Sequence, residues 1–189
     1  NKNAWWAMNP KDVLDDFLNK RGLSYHLDMS SPLSAEQACS RLSTHLAVGA
    51  ISMRQIVSRV TKRQDYLRSL EKEARGPALK ALSAYKSRLH WHCHFIQKLE
   101  SEPAIEFENM SKAFDGIREN SFNEEYYKAW CRGETGYPFV DACMRYLRET
   151  GWINFRMRAM LVSFASYDLW LRWDRTARFL ATQFLDYEP

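Results

Sequence analysis

Glycine and proline are scarce in this chain, and their placement restricts the fold more than any other feature. The sequence has 7 glycines and 6 prolines in 189 residues, and they lie at the ends of segments with helical apolar spacing rather than inside them. No alternation of apolar and polar residues continues long enough to form a sheet. The sequence therefore predicts an all-α fold.

About eight helices are predicted from apolar spacing and capping residues. The strongest prediction is a helix from Pro77 to Leu99, where apolar and aromatic residues share one face. The other predicted helices span 10–20, 34–48, 52–66, 122–131, 138–149, 152–173 and 174–185, with loops at 24–32 and 102–116. One domain over 1–189 is expected, with too many helices for a four-helix bundle. Its final residues do not resemble a natural tail, which predicts truncation at the C-terminal end.

Composition excludes two classes of protein. Aromatic residues make up 14% of the chain, far more than a disordered protein carries. The sequence contains no stretch of about eighteen apolar residues, the length that a membrane-spanning helix needs. The four cysteines are widely spaced and form no CxxC pair, which favours an intracellular protein with reduced thiols, cytoplasmic or, in a eukaryote, nuclear.

The charge pattern is more informative than the net charge of +4, which permits binding to a phosphate backbone without demanding it. From Ala129 onward there are eight arginines, no lysine and four of the seven tryptophans. Arginine pairs with carboxylates and phosphates through two hydrogen bonds and stacks on aromatic rings. This pattern indicates either an arginine-rich, aromatic ligand cleft or an ordinary helical surface.

A histidine-rich segment invites a metal-site interpretation. His90 and His94 lie one helical turn apart, a spacing that could place both on one ion. A zinc site needs further ligands, and the only histidines outside this segment are His26 and His45. A half-buried aromatic helix is the better interpretation, and no metal is predicted.

Three patterns could carry chemistry. The hydroxyls and guanidinium of residues 40–44 would suit a pyrophosphate, although such residues are commonly solvated. Residues 151–158 combine two arginines with two large aromatics, and Asp186 and Glu188 follow as acidic partners. A buried arginine–aspartate pair is either structural or sets the charge around a redox ring. Trp170 and Trp173, three residues apart on the predicted helix, belong either to an electron-hopping chain or to the core.

Several segments together resemble the DNA photolyase and cryptochrome family. Residues 40–43, followed by 46–49 and 52–54, resemble its flavin-phosphate segment. Trp130 and residues 133–145 resemble its most specific signature. Further matches follow in register at Gly151, Trp152, Arg156, Arg158, Asp168, Trp173 and 185–189. The resemblance covers essentially the whole chain and implies a multi-helical orthogonal assembly that binds FAD in a folded conformation.

The resemblance also implies roles for individual residues. Contacts to the FAD phosphates and ribityl chain are implied for Tyr25, Cys39, Ser40, Arg41, Leu42 and Ser43. A position near the flavin and adenine rings is implied for Asp186, Tyr187 and Glu188, with Arg158 paired to Asp186. Trp173 would be the middle member of an electron-transfer chain of tryptophans.

The same resemblance implies a DNA-binding face, with Trp91 and Trp152 toward the lesion. Residues bordering DNA would be Arg88, Trp91, His92, Phe95, Phe155 and Arg156. The chain departs from the family pattern at Cys39, Arg88, His92, Asn120 and Phe155. These departures weaken the expectation of dimer repair more than the expectation of flavin binding.

Three functions remain open from the sequence. The first is a lyase of the deoxyribodipyrimidine photolyase type, in which blue light drives an electron from reduced FAD to a pyrimidine dimer in DNA. The second is a cryptochrome-type photoreceptor that acts through signalling protein partners. The third is a basic all-α DNA-binding module without flavin.

Overall fold

The computed structural model describes residues 5–188, which form two compact units. Unit 1 comprises the described residues up to 98 together with Glu188, and unit 2 comprises 99–187. The described residues contain no β-strand, which confirms the all-α prediction. None of their helices has the length and apolarity needed to cross a bilayer. The single domain over 1–189 stays a prediction.

Unit 1 is built on two long helices and several short ones. Its α-helices are α1 (Pro10–Asp16), α2 (Tyr25–Asp28), α3 (Pro32–Ala38), α4 (Ser43–Ala47), α5 (Met53–Ser69), α6 (Lys72–Arg75) and α7 (Ala78–Ser101). The predicted cap of α5 is confirmed, because the Ser52 side chain and the Gln55 side chain bond reciprocally to each other's backbone N–H groups.

The core of unit 1 lies between α1, α5 and α7. Its fully buried side chains include Val13, Leu14, Phe17, Ile56, Val60 and Leu82. They recur at helical spacing in each element, so the core forms from the apolar faces that the sequence predicts.

The predicted helix over 34–48 is wrong as a continuous element. Helix α3 ends at Ala38, α4 begins at Ser43, and Arg41 between them has a φ of 61°. The Arg21 guanidinium donates hydrogen bonds to the carbonyl oxygens of Gln37, Cys39 and Ser40. In a continuing helix these oxygens would accept from backbone N–H groups instead. The predicted loop over 24–32 is partly helical, since α2 lies within it.

Unit 2 contains four α-helices within the part of the chain that the structure describes. They are α8 (Glu124–Arg132), α9 (Pro138–Thr150), α10 (Phe155–Ser163) and α11 (Trp173–Gln183). Gly133 and Gly151 end α8 and α9 in the left-handed conformation, as expected for helix C-termini. The buried core includes Trp130, Met144, Leu147, Leu161, Ala165 and Leu171.

The predicted helix over 152–173 is also wrong as a continuous element. Helix α10 passes into a π-helical turn at Phe164–Asp168, and Trp170 has a φ of 53°. The N–H of Leu171 donates to the carbonyl of Ala165 at 2.9 Å, and the Leu171 side chain is fully buried. Burial of Leu171 therefore accompanies the break, and Trp170 and Trp173 do not share one helix.

Candidate functional site

In unit 1 the segment between α3 and α4 is held by Arg21. Its guanidinium donates to the Gln37 carbonyl at 3.0 Å, to the Ser40 carbonyl at 2.7 Å and to the Cys39 carbonyl. The guanidinium also donates to the Val13 carbonyl at 3.4 Å and forms an ion pair with Asp16 at 2.8 Å. Because these carbonyls bond to Arg21, they are not directed at an anion that approaches the segment from elsewhere.

Arg41 occupies an unusual position in this segment. It is one of two non-glycine residues with a positive φ among those described, and it is 6% exposed. A strained backbone persists only where its surroundings hold it, and such positions cluster at ligand sites. The same segment carries the hydroxyls of Ser40 and Ser43, and a guanidinium together with hydroxyls is chemistry suited to phosphate oxygens.

Two buried tyrosines lie behind the same segment. The rings of Tyr25 and Tyr85 meet edge to face at 5.6 Å, and Tyr25 also meets Phe17 at 5.7 Å. Burial raises the pKa of Tyr25 well above its usual range and raises the pKa of Tyr85 to about 12. Both phenols are therefore neutral near pH 7.

The residues predicted to border DNA in unit 1 share one face of α7. Trp91 and Phe95 are exposed with ring centroids 6.1 Å apart, and Arg88 lies over the Trp91 ring at 5.6 Å. His92 is half-buried, and its Nε2 lies 2.8 Å from the Glu188 carboxylate. The helical spacing of these residues brings the predicted set together.

In unit 2 the signature over 133–145 forms a rigid turn. The Asp141 carboxylate accepts from the Thr135 N–H at 2.8 Å, the Thr135 hydroxyl at 2.6 Å and the Gly136 N–H at 3.0 Å. Burial acts to raise the pKa of Asp141, but these hydrogen bonds outweigh it and hold the pKa below its usual value. A Cβ on Gly133 would lie 2.9 Å from the Asp141 carbonyl. This signature therefore fixes the entry to α9.

The predicted ion pair between Arg158 and Asp186 is present at 2.6 Å. Arg158 also donates to the Ile153 carbonyl at 2.9 Å and stacks on Phe184 at 4.2 Å. The Asp186 side chain is 1% exposed, yet its Oδ1 has no hydrogen-bond partner within residues 5–188. A buried acceptor without a donor is costly, so this oxygen marks a place where a ligand donor would be stabilising.

Gly151 positions the end of the chain next to this pair. The Leu185 N–H donates to the Gly151 carbonyl at 3.0 Å. A Cβ on Gly151 would lie 2.4 Å from the Leu185 Cγ, and its φ is +70°. Glycine at position 151 therefore both ends α9 and permits the close approach that carries Asp186 to Arg158.

The remaining predicted residues of unit 2 lie in different environments. Trp152 is buried, whereas Phe155 and Arg156 are exposed on the first turn of α10, and Tyr187 is exposed beside Asp186. Trp173 donates from its Nε1 to the Asn109 amide oxygen at 2.6 Å. The roles of these residues stay predictions.

Sequence reasoning missed Arg21 and Asp141. Nothing local marks Arg21 as the residue that holds the segment between α3 and α4, because the carbonyls that it binds there lie 16 to 19 residues away. Asp141 could have been found, since an aspartate in the first turn after Pro138 is placed to accept from the preceding backbone N–H groups.

Comparison with known proteins identifies one family. The model of the FAD binding domain of DNA photolyase matches residues 85–189, more than half of the chain. A deoxyribodipyrimidine photo-lyase from Vibrio cholerae is 32% identical over 189 residues, covering 96% of this chain and 37% of that protein.

Two solved structures share the fold. A class III photolyase from Agrobacterium tumefaciens superposes with a TM-score of 0.78 at 28% identity, covering 94% of this chain and 34% of that one. A cryptochrome from Synechocystis superposes with a TM-score of 0.79 at 23% identity, covering 100% and 38%, and supports the fold alone.

The chain spans about a third of the length of these relatives. The family match runs from the middle of α7 to the Arg158–Asp186 pair and beyond, and it includes the turn that Asp141 holds. FAD is the cofactor that domains of this family bind. The chain therefore belongs to the DNA photolyase family, in the FAD-binding part of those proteins.

Proposed function

We propose that this chain is the FAD-binding part of an enzyme that uses blue light to repair pyrimidine dimers in DNA. The observation that carries the proposal is the Arg158–Asp186 pair, in which the carboxylate is buried and one of its oxygens has no donor from the described residues. Bound FAD supplies light-driven electron transfer. Such an enzyme acts on DNA in the cytoplasm, or in the nucleus of a eukaryote.

Unit 1 offers the chemistry for the phosphate end of FAD. The segment from Cys39 to Ser43 combines a buried guanidinium with two serine side chains, and Arg21 engages the carbonyls that would repel a phosphate. Tyr25 stays a neutral hydrogen-bonding group beside it. These residues fit a pyrophosphate, which supports their predicted role.

Unit 2 offers the chemistry for the flavin ring. Asp186 Oδ1 is a buried acceptor that fits a ring N–H, and Arg158 provides a fixed positive charge that favours a reduced, anionic flavin. Tyr187 and Glu188 follow directly in the chain. Trp173, half-buried with its Nε1 held by Asn109, is proposed as an electron relay.

The exposed aromatics supply the surface proposed for DNA. Trp91 and Phe95 on α7 present rings on which a base can stack, and Phe155 and Arg156 add a ring and a cation in unit 2. Trp91 and Trp152 are proposed to contact the flipped dimer. A mild net charge of +4 is compatible with binding to the DNA backbone.

One observation favours a second function, a cryptochrome-type photoreceptor that changes protein partners. His92 is engaged by Glu188 at 2.8 Å, and Arg88 lies over Trp91. Both side chains therefore have close neighbours within unit 1, which reduces their availability to phosphates.

Binding of lesion-containing single-stranded DNA separates the two functions. We expect tighter binding of a strand with one thymine dimer than of the undamaged strand at the same salt concentration, and loss of that preference in Trp91→Ala. Tyr66→Ala, which removes an exposed ring from α5, is the matched control and should keep the preference. Equal affinity of the unsubstituted protein for both strands would reject repair and favour the photoreceptor.

A further inference from the structure

Unit 2 contains a cleft of about 680 Å³ that the proposed function does not use, apart from Trp173 in its wall. One wall is the segment 107–119 that precedes α8, and the other is the segment 167–174 around the break between α10 and α11. This volume is within the range of about 300–1,000 Å³ typical of small-molecule sites.

The cleft is lined by aromatic and apolar side chains that are unusually exposed. Phe107, Met110, Phe114 and Tyr167 each expose more than 60% of their surface. Exposed apolar residues scattered singly over a surface are ordinary, but a cluster that lines one concavity indicates a binding site. The rings of Phe107, Phe114 and Tyr167 could enclose a flat ligand.

Trp170 is held in a strained conformation at the cleft wall. Its φ of 53° is rare for a bulky side chain, and the Arg118 guanidinium lies over its ring at 4.4 Å from the centroid. This stacking orders the guanidinium while leaving its edge able to form hydrogen bonds.

The carboxylates that line the cleft have donors of their own. Asp174 receives two hydrogen bonds of 3.0 Å from Arg172, and Asp115 accepts from the Asn109 amide at 2.7 Å. Glu108 pairs with Lys112. None of these groups depends on a ligand for a partner.

Arg118 differs from these charged groups. Its Nε is buried and has no hydrogen-bond partner among residues 5–188, although Glu119 next to it accepts from the Arg118 backbone N–H at 3.0 Å. A guanidinium that stacks on a ring and has no side-chain hydrogen bond to a described residue is suited to a carboxylate or phosphate, with which it forms charge-assisted hydrogen bonds. The cleft therefore combines a place for a flat ring with a place for an anion.

We propose that this cleft binds a planar aromatic anion of mononucleotide size. The ring lies among Phe107, Phe114 and Tyr167, and the anionic group bonds to the edge of the Arg118 guanidinium. The site is separate from the proposed FAD residues of unit 2, so this proposal can be tested independently of the repair function.

Two matched ligand pairs test the proposal: AMP against adenosine, and FMN against riboflavin. Each pair shares its ring system and differs by one phosphate. Titrations followed by the indole N–H signals of Trp170 and Trp173 in ¹H–¹⁵N spectra report on the cleft itself. We expect at least one phosphorylated ligand to shift both signals and to bind about tenfold more tightly than its uncharged partner.

Variants complete the test. Arg118→Gln should reduce the affinity for the phosphorylated ligand about tenfold, to that of its uncharged partner. Arg178→Gln, an exposed arginine of α11 that does not line the cleft, should leave it unchanged. Trp170→Gly should abolish binding without loss of thermal stability, because glycine accepts the positive φ. Absence of shifts with both pairs, equal affinity within each pair, or full binding by Arg118→Gln would overturn the proposal.

Discussion

Arg21 in unit 1 and Asp186 in unit 2 are charged side chains with little exposure to solvent, and their hydrogen-bonding groups are satisfied to different degrees. Arg21 in unit 1 donates to four backbone carbonyls, pairs with Asp16 and stacks over Trp5 at 4.4 Å. Asp186 in unit 2 pairs through one oxygen with Arg158, while its other oxygen has no donor among the residues described. A satisfied charge stabilises the chain itself, whereas a half-satisfied one indicates a ligand.

The largest expected loss in the free energy of unfolding comes from removal of Arg21. Arg21→Ala leaves the carbonyls of Cys39 and Ser40 without their donor, and we expect a loss of about 4 kcal/mol in the free energy of unfolding. Urea denaturation measures it. Lys20→Ala is the matched control, since this side chain is 80% exposed, and it should cost less than about 0.5 kcal/mol. Similar losses in both variants would show that Arg21 does not organise the segment.

Removal of Arg158 should cost somewhat less but should affect cofactor binding as well. Arg158→Ala leaves Asp186 buried without its cation, and we expect a loss of about 3 kcal/mol, because one oxygen already has no donor to lose. Urea denaturation near pH 7 measures this loss, and the flavin absorption that remains after incubation with FAD and desalting measures the effect on cofactor binding. A loss below about 0.5 kcal/mol, as for an exposed ion pair, would contradict the stabilising role assigned to this pair.

The fold and the site were predictable to different extents. The helices α5, α7 and α9 follow from apolar spacing and capping residues, since their signals are local. The breaks at Arg41 and Trp170 were not predictable, because each depends on a partner elsewhere: Arg21 for the first break and the core position of Leu171 for the second. The Arg158–Asp186 pair was predicted from family resemblance, but the absence of a donor for Asp186 Oδ1 depends on side-chain positions that only the structure shows.

Asp141 provides an intermediate case, a carboxylate whose hydrogen bonds come from its own turn. We expect Asp141→Asn to cost about 2 kcal/mol near pH 7, because an amide accepts fewer of the three hydrogen bonds. The folded pKa of Asp141 lies below its unfolded value. Its contribution is therefore complete above about pH 4 and is lost as the pH falls through the folded pKa.

The pH dependence of the Asp141 contribution can be measured by comparing the same two proteins at several pH values. The difference in unfolding free energy between the unsubstituted protein and Asp141→Asn should shrink as denaturation is repeated at successively lower pH. A difference that stays constant down to about pH 2 would contradict the assigned hydrogen bonds.

The last pair of variants compares the glycine next to the Arg158–Asp186 pair with a glycine in open space, and the smallest expected effect is that of the second. Gly151→Ala should cost about 2 kcal/mol, since it adds contact with Leu185 to the strain of a positive φ. Gly49→Ala has the same φ of +70° and open space around it, so it should cost about 1 kcal/mol. Thermal denaturation of both, and of Gly151→Ala combined with Leu185→Ala, isolates the steric part. Equal costs for the two glycines would exclude a role for the Leu185 contact.

Retention of FAD by the unsubstituted protein and by Asp186→Asn tests the central claim most directly. Both proteins would be incubated with FAD and desalted, and their visible flavin absorption compared at equal protein concentration, with circular dichroism confirming the helical fold. We expect the unsubstituted protein to retain flavin and Asp186→Asn to lose at least about 90% of it, since the charged acceptor is removed. Equal retention, or none by the unsubstituted protein with its helices intact, would contradict the assignment of Asp186 Oδ1 to the cofactor.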